Sequence, residues 1–267
     1  PEKELLRWHC KLGNMGFNKI KYIMKSGGLT KNSHLRNVHM KISKTNDCPK
    51  CAACLYGNQV RRSDPGKIHS QDVNKQNVLK KEDLLPGQTI SVDHFIIRTP
   101  GRLIEGNGQK KISGDMYSGG CIFVDHASGY IHIILQAHMN THETLAAKIS
   151  FEEMCTQHGV VPLKYLSDNG TAFLSEEFVE SLKEFQQHTI RGAPGAHHHN
   201  GVAERNIRTI MTIARTMLIH RSIHWPEVST TILWPLAVLH AQYLFNHLPN
   251  PKLGFSLYEL FTRTKID

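Results

Sequence analysis

Thr89-Ile90-Ser91-Val92-Asp93-His94-Phe95 is a run of β-branched and apolar residues that delivers a carboxylate near its end, and it reads as a strand. Downstream, Leu163-Lys164-Tyr165-Leu166-Ser167 is a second such run, and it closes on Asp168-Asn169-Gly170, which is turn chemistry. A third stretch, Asn200-Gly201-Val202-Ala203-Glu204-Arg205-Asn206, opens a helix and offers one Glu. The thirty-five residues between Asp168 and Glu204 suffice for a helix, a strand and a loop that bring the Glu back beside the strand ends. Three carboxylates in one site suit a pair of hard divalent cations, Mg²⁺ or Mn²⁺, stabilising both oxygens of an in-line displacement at phosphorus.

The run Asp168-Asn-Gly-Thr-Ala-Phe173 and the run Asn200-Gly-Val-Ala-Glu-Arg205 resemble the integrase core of retroviruses and LTR retrotransposons. The resemblance implies an α/β, RNase H-like fold, with a mixed five-stranded sheet flanked by helices and a small helical zinc-type segment before it. It implies that Asp93, Asp168 and Glu204 are catalytic and hold two Mg²⁺ or Mn²⁺ ions, Asp93 bridging both. The activity implied is 3′-end processing and strand transfer on double-stranded DNA by a homo-multimer, in the nucleus at the time of action and in cytoplasmic particles earlier.

The net charge of +9 is unevenly placed: residues 1–55 hold eleven Lys and Arg against three acids, while the remaining 212 hold twenty-one basic and twenty acidic. Such asymmetry suits a polyanionic partner, the bland alternative being a solvated basic face. Within this unit Cys48, Cys51 and Cys54 follow at successive x₂ spacings, a pattern for structural zinc or for free thiols. Leu6-Arg7-Trp8-His9-Cys10-Lys11-Leu12-Gly13-Asn14 resembles the pre-integrase zinc segment of copia-type elements, with Asn14 where that pattern has a second His. The match carries over His9, Cys51 and Cys54 as Zn²⁺ ligands and leaves the fourth open among Cys48, Cys10, His34 and His39. An amide is a poor Zn²⁺ ligand beside imidazole and thiolate, so Zn²⁺ is expected to bind weakly or through a substituted ligand.

The expected division is a pre-integrase unit at 1–55, a linker at 56–86 with the basic pairs Arg61-Arg62 and Lys80-Lys81, the catalytic core at 87–250, and the start of a post-core region at 251–267. In the core, a Gly- and Lys-rich insertion is expected at 98–119, strands at 120–124 and 130–135, a helix from Thr141 to before Gly159, a strand at 160–166 parallel to the first, a helix from Ser175 and a short strand at Thr189-Ile190. Phe123-Val124-Asp125 copies the look of the first site, but the resemblance places it one strand too late, so Asp125 is assigned to the following turn. The His197-His198-His199 run reads as substrate contact or plain exposure. No stretch of some eighteen uninterrupted apolar residues exists, which argues against a membrane span.

On the helix from about Asn200 to Arg221, Ile207, Ile210, Ala214, Met217 and Leu218 form one apolar stripe, with Glu204, Arg208 and Arg215 within roughly 40° of one another on its border. With Glu204 on metal, Arg205, Arg208 and Arg215 become candidates for DNA phosphates. A further apolar helix follows, with a kink expected at Pro235. The final Ser256-Leu-Tyr-Glu-Leu-Phe261 resembles the copia-type motif after the core and favours that class. The missing initiator Met reads as a piece of a longer polyprotein. The rival readings are an RNase H-like nuclease without strand transfer and an inactive or co-opted DNA-binding fragment.

Overall fold

The structure, a computed structural model, describes residues 2–45, 48–59, 84–102, 116–191 and 200–265. The basic pairs at 61–62 and 80–81, most of the linker and of the expected insertion, and the His197–His199 run lie outside the described residues.

Five strands form one mixed sheet in the order β3-β2-β1-β4-β5: β1 (Ile90–Gly101), β2 (Tyr117–Asp125), β3 (Ile131–Gln136), β4 (Lys164–Ser167) and β5 (His188–Arg191). The first three make an antiparallel meander, and β4 and β5 join β1 in parallel, as expected for a retroviral-type integrase core. The meander joins β2 to β3 through a tight turn, where Asp125 is buried and accepts hydrogen bonds from the Gly87 and Ser128 amides and the Ser128 hydroxyl. Asp125 thus serves the turn, as assigned. Strand alternation sends Ile90, Val92, Cys121 and Phe123 to one face and Phe95, Ile122 and Val124 to the other.

The first face is covered by α5 (Thr141–Gln157), the one-turn α6 (Thr171–Leu174), α7 (Glu176–Glu184) and α10 (Leu257–Thr262), through Phe151, Phe173, Phe178, Leu182 and Phe261. Phe261 is fully buried there. Beneath α5 the buried Lys148 reaches Glu152 at 3.0 Å and Ser181, and Glu152 also accepts from Tyr165 and Gln187. This network ties α5 to α7 and to β4, the strand that leads into Asp168.

The second face is covered by α8 (Gly201–His224) and α9 (Trp234–His247), through Ala203, Ile210, Ala214, Trp234, Val238 and Ala241. Pro235 does not kink α9: it lies in the first turn, where proline's missing N–H has no helical acceptor to lose. Helix α9 also shields the edge strand. Asn246 brackets Ile131 by accepting from its N–H and donating to its carbonyl, and Gln242 accepts from the Ile133 N–H.

The amino-terminal unit has its own core. Helices α1 (Glu2–Lys11), α2 (Phe17–Ser26) and α3 (Ser33–Ser43) bury Leu5, Ile20, Met24 and Ile42 together, and the six-residue α4 (Ala52–Gly57) follows. Asn32 caps α3 by accepting from two backbone amides, and Gly27, in the left-handed region at φ 78°, ends α2.

Candidate active site and metal centre

Parallel pairing of Ile90 with Tyr165 and of Ser91 with Leu166, continued by two residues, sets Asp93 opposite Asp168 at neighbouring strand positions. Asp93 faces the α8 side of the sheet, where its Oδ1 accepts the His94 N–H at 2.8 Å. Asp168 sits exposed just past β4, and its Oδ1 accepts the Gly170 N–H at 3.0 Å, which holds the turn. Glu204 is in the first turn of α8. Asn200 precedes that helix and donates its amide to the Val92 carbonyl at 2.8 Å, so the start of α8 is tied to the residue before Asp93.

The three carboxylates act on one another electrostatically. Burial, then the charge of Asp168, and more weakly that of Glu204, push the Asp93 carboxyl up to about 7, against the opposing His94 hydrogen bond. A group so perturbed between two like charges is suited to a cation. The carboxylates are not drawn within 4.8 Å of one another as a set; among the described residues only His9, Cys51 and Cys54 are.

Sequence reasoning missed how the site is braced. The His94 ring stacks on Phe173 at 4.6 Å, and its Nε2 lies 3.0 Å from the Thr144 hydroxyl. Phe173 belongs to the short helix that follows the Asp168 turn, so the stack joins β1, α5 and α6 around two of the carboxylates. Asn200, at the start of the third stretch, sends its side chain across to β1, a contact 108 residues distant in the chain.

The three arginines part company. Arg208 is exposed on the Glu204 side of α8. Arg205, one residue round the helix, lines a hollow of about 430 Å³ with His126, Asn206, Phe245 and Asn250, away from the carboxylates. Arg215, expected to be free for phosphate, is engaged: its Nε donates to the Gly57 carbonyl at 2.9 Å and its Nη2 to the Gln59 carbonyl at 3.3 Å. A guanidinium three turns from Glu204 meets the docked amino-terminal unit before it meets anything else.

In that unit His9, Cys51 and Cys54 converge. Cys54 Sγ lies 3.3 Å from His9 Nε2, while His9 Nδ1 is 2.6 Å from the Met15 carbonyl, which fixes the ring and leaves Nε2 for a metal. Asn14 occupies the remaining corner, its Nδ2 3.4 Å from His9 Nε2 and 3.5 Å from Cys51 Sγ. Burial, then Cys51, pushes the Cys54 thiol up to about 12, so a bound cation would have to displace its proton. This donor set suits Zn²⁺. Of the open candidates for the fourth ligand, Cys48 is exposed beside Lys21, His34 is exposed, and His39 is turned to Glu4 at 3.5 Å. Cys10 lies close enough to Cys51 to feel its charge, outside the tight set. A hollow of about 340 Å³ opens onto Cys51 and Cys54.

No protein-family model matches the chain. It is 34% identical over 147 residues to the retrovirus-related Pol polyprotein from transposon RE1 of Arabidopsis thaliana, a match that covers 53% of this chain and 9% of that protein. It is 26% identical over 253 residues to the corresponding polyprotein from transposon TNT 1-94 of Nicotiana tabacum, over 94% of this chain and 16% of that one. The chain therefore spans a small part of the curated relatives it matches. Among solved structures it aligns with the simian T-cell lymphotropic virus intasome in complex with the PP2A regulatory subunit B56 gamma, at a TM-score of 0.52 and 15% identity, over 98% of this chain and 74% of that one. The chain is thus related in sequence to the retrovirus-related Pol polyproteins of plant transposons and shares its fold with the retroviral intasome structure it aligns with.

Proposed function

We propose that this chain is the integrase part of its polyprotein and carries out metal-dependent polynucleotidyl transfer on double-stranded DNA. What supports the reading above all is the convergence of Asp93, Asp168 and Glu204 from two parallel strands and one helix, with Asp93 held at about 7 between its neighbours. Asp93, Asp168 and Glu204 would together hold two Mg²⁺ or Mn²⁺ ions. When bound, such ions supply Lewis acidity to the attacking and leaving oxygens. The His94 and Gly170 amides orient the two aspartates, and Asn200 sets the distance of Glu204 from β1.

In 3′-end processing a water oxygen forms a bond to phosphorus while the 3′-oxygen of the element end leaves and takes up a proton. In strand transfer that 3′-hydroxyl attacks a target phosphodiester, with one P–O bond made and one broken. Arg208, exposed beside Glu204, is placed to hold a DNA phosphate, and Arg205 to hold one on the adjoining surface. Arg215 is withdrawn from that role by its bonds to Gly57 and Gln59.

The proposal extends to the expected division of the chain at 1–55, 56–86, 87–250 and 251–267, to a homo-multimer bridging two DNA ends, and to action in the nucleus after assembly in cytoplasmic particles. Among the described residues no helix is long and apolar enough to cross a membrane.

The test is a Mg²⁺- or Mn²⁺-dependent joining assay with the element's own DNA ends, comparing the chain with Glu204→Gln. Joining by the parent that vanishes in the variant is the expected result. Cutting without joining would move the assignment to a nuclease, and DNA binding alone to an inactive fragment.

A further inference from the structure

The His9, Cys51 and Cys54 cluster lies on the seam between the amino-terminal unit and the core. We propose that helix α8 of the core holds both ligand-bearing turns of this candidate Zn²⁺ site, with Arg215 as the positioning residue. The proposal is independent of the integrase chemistry.

The first ligand-bearing turn follows His9 at the end of α1. Gly13 and Asn14 both take the left-handed region there, at φ 63° and 59°, which brings the Asn14 side chain round to the cluster. That turn lies against the core: a Cβ on Gly13 would stand 2.6 Å from Leu244 Cδ1 and 3.0 Å from Met217 Sδ. The second turn carries Cys51 and Cys54 at the start of α4. Its far end is pinned by Arg215, which donates to the Gly57 and Gln59 carbonyls, and Gly57 packs so closely on Thr216 that a Cβ would collide with that side chain. Arg215, Thr216 and Met217 are consecutive. One turn of α8 therefore touches both halves of the cluster.

The physical need for such a brace is plain. A helix of six residues does not hold itself in water, and its terminal carbonyls need partners, which a guanidinium supplies through charge-assisted bonds. Ligands are positioned by what grips them from outside, as Met15 does for His9 Nδ1 and as Arg215 does for the helix of Cys54. The corner held by Asn14 gives the site only three strong donors, so its affinity depends more on this bracing than a four-donor site's would. Linkage makes the effect mutual: what α8 contributes to Zn²⁺ binding, Zn²⁺ returns to the docking of the amino-terminal unit.

The experiment measures Zn²⁺ affinity of the full chain by competition with a chromophoric chelator. Arg215→Ala, which removes no ligand, is expected to weaken binding about tenfold, the loss of a charge-assisted bond expressed through linkage. Arg215→Lys, which keeps one donor, should fall between, and Lys183→Ala, which removes the same charge from exposed α7, should match the parent. On Zn²⁺ removal the amides of residues 52–58 should exchange faster with solvent in the parent. Parental affinity in Arg215→Ala or in Arg215→Lys with the fold intact by circular dichroism would overturn the proposal. So would a parent that takes up no Zn²⁺ sensitive to Cys54→Ser. Joining activity is not read, so failure of the integrase assignment would leave these outcomes unchanged.

Discussion

Replacing Asp93 by Asn should abolish activity and yet make the protein more stable at pH 8 when no Mg²⁺ or Mn²⁺ is added. In the fold this carboxyl titrates at about 7, against an ordinary 3.8, because it is buried and because Asp168 and Glu204 repel its charge. The unfolded chain gives up the proton near 3.8 and the folded chain near 7, so the folded state is penalised progressively across that window and fully above it. A move from 3.8 to about 7 corresponds to about 4 kcal/mol. Asp93 is partly open to solvent, which screens some of this, and about 2–4 kcal/mol is expected to be recovered. An Asn keeps an oxygen for the His94 N–H and carries no charge. For a chain of this size the gain is a rise of about 5–10 °C in melting temperature at pH 8. At pH 5 the same integral leaves only about two-fifths of it. The assay is thermal unfolding followed by circular dichroism for both proteins at the two pH values, with and without Mg²⁺; added Mg²⁺ should raise the parent and leave the variant unmoved. A gain equal at pH 5 and pH 8, or none at either, would refute the electrostatic account of the site.

Two further predictions concern the scaffold. Asn246→Ala should cost about 2–4 kcal/mol in urea unfolding, because it strips partners from both the N–H and the carbonyl of Ile131 on the edge strand, whereas Gln242→Ala, which frees one N–H, should cost less. His132, packed near Phe151 with its Nδ1 shut off from solvent, has its pKa pushed by burial from 6.5 down to about 4. It stays neutral in the fold while the unfolded chain takes up the proton, so stability attributable to it is lost as pH falls from 6.5 towards 4. His132→Phe should remove up to about 3 kcal/mol of that acid sensitivity, seen as a shallower decline in melting temperature across the window; an unchanged slope would sink the assignment.

The sequence determined the local elements and where along them the candidate site residues fall. Strand alternation, a turn after Asp168 and an apolar stripe on one long helix are short-range patterns, and each is imposed by neighbours within a few residues. For that reason the meander, the parallel return and the two aspartates at facing strand positions were legible, as was the grouping of His9 with two cysteines more than forty residues away, once the spacing matched a known pattern. The tertiary structure decided what each polar group does once those elements meet. Arg215 lies at nearly the same helical angle as the exposed Arg208, but a docked unit lies over it, and only packing could reveal that Gly57 and Gln59 claim it. Asn200 reaches across to β1, and Pro235 begins a helix where a kink was expected. For Arg215 and Asn200 the partner lies far away in sequence, and a hydrogen bond is satisfied by position in space, which no local pattern encodes.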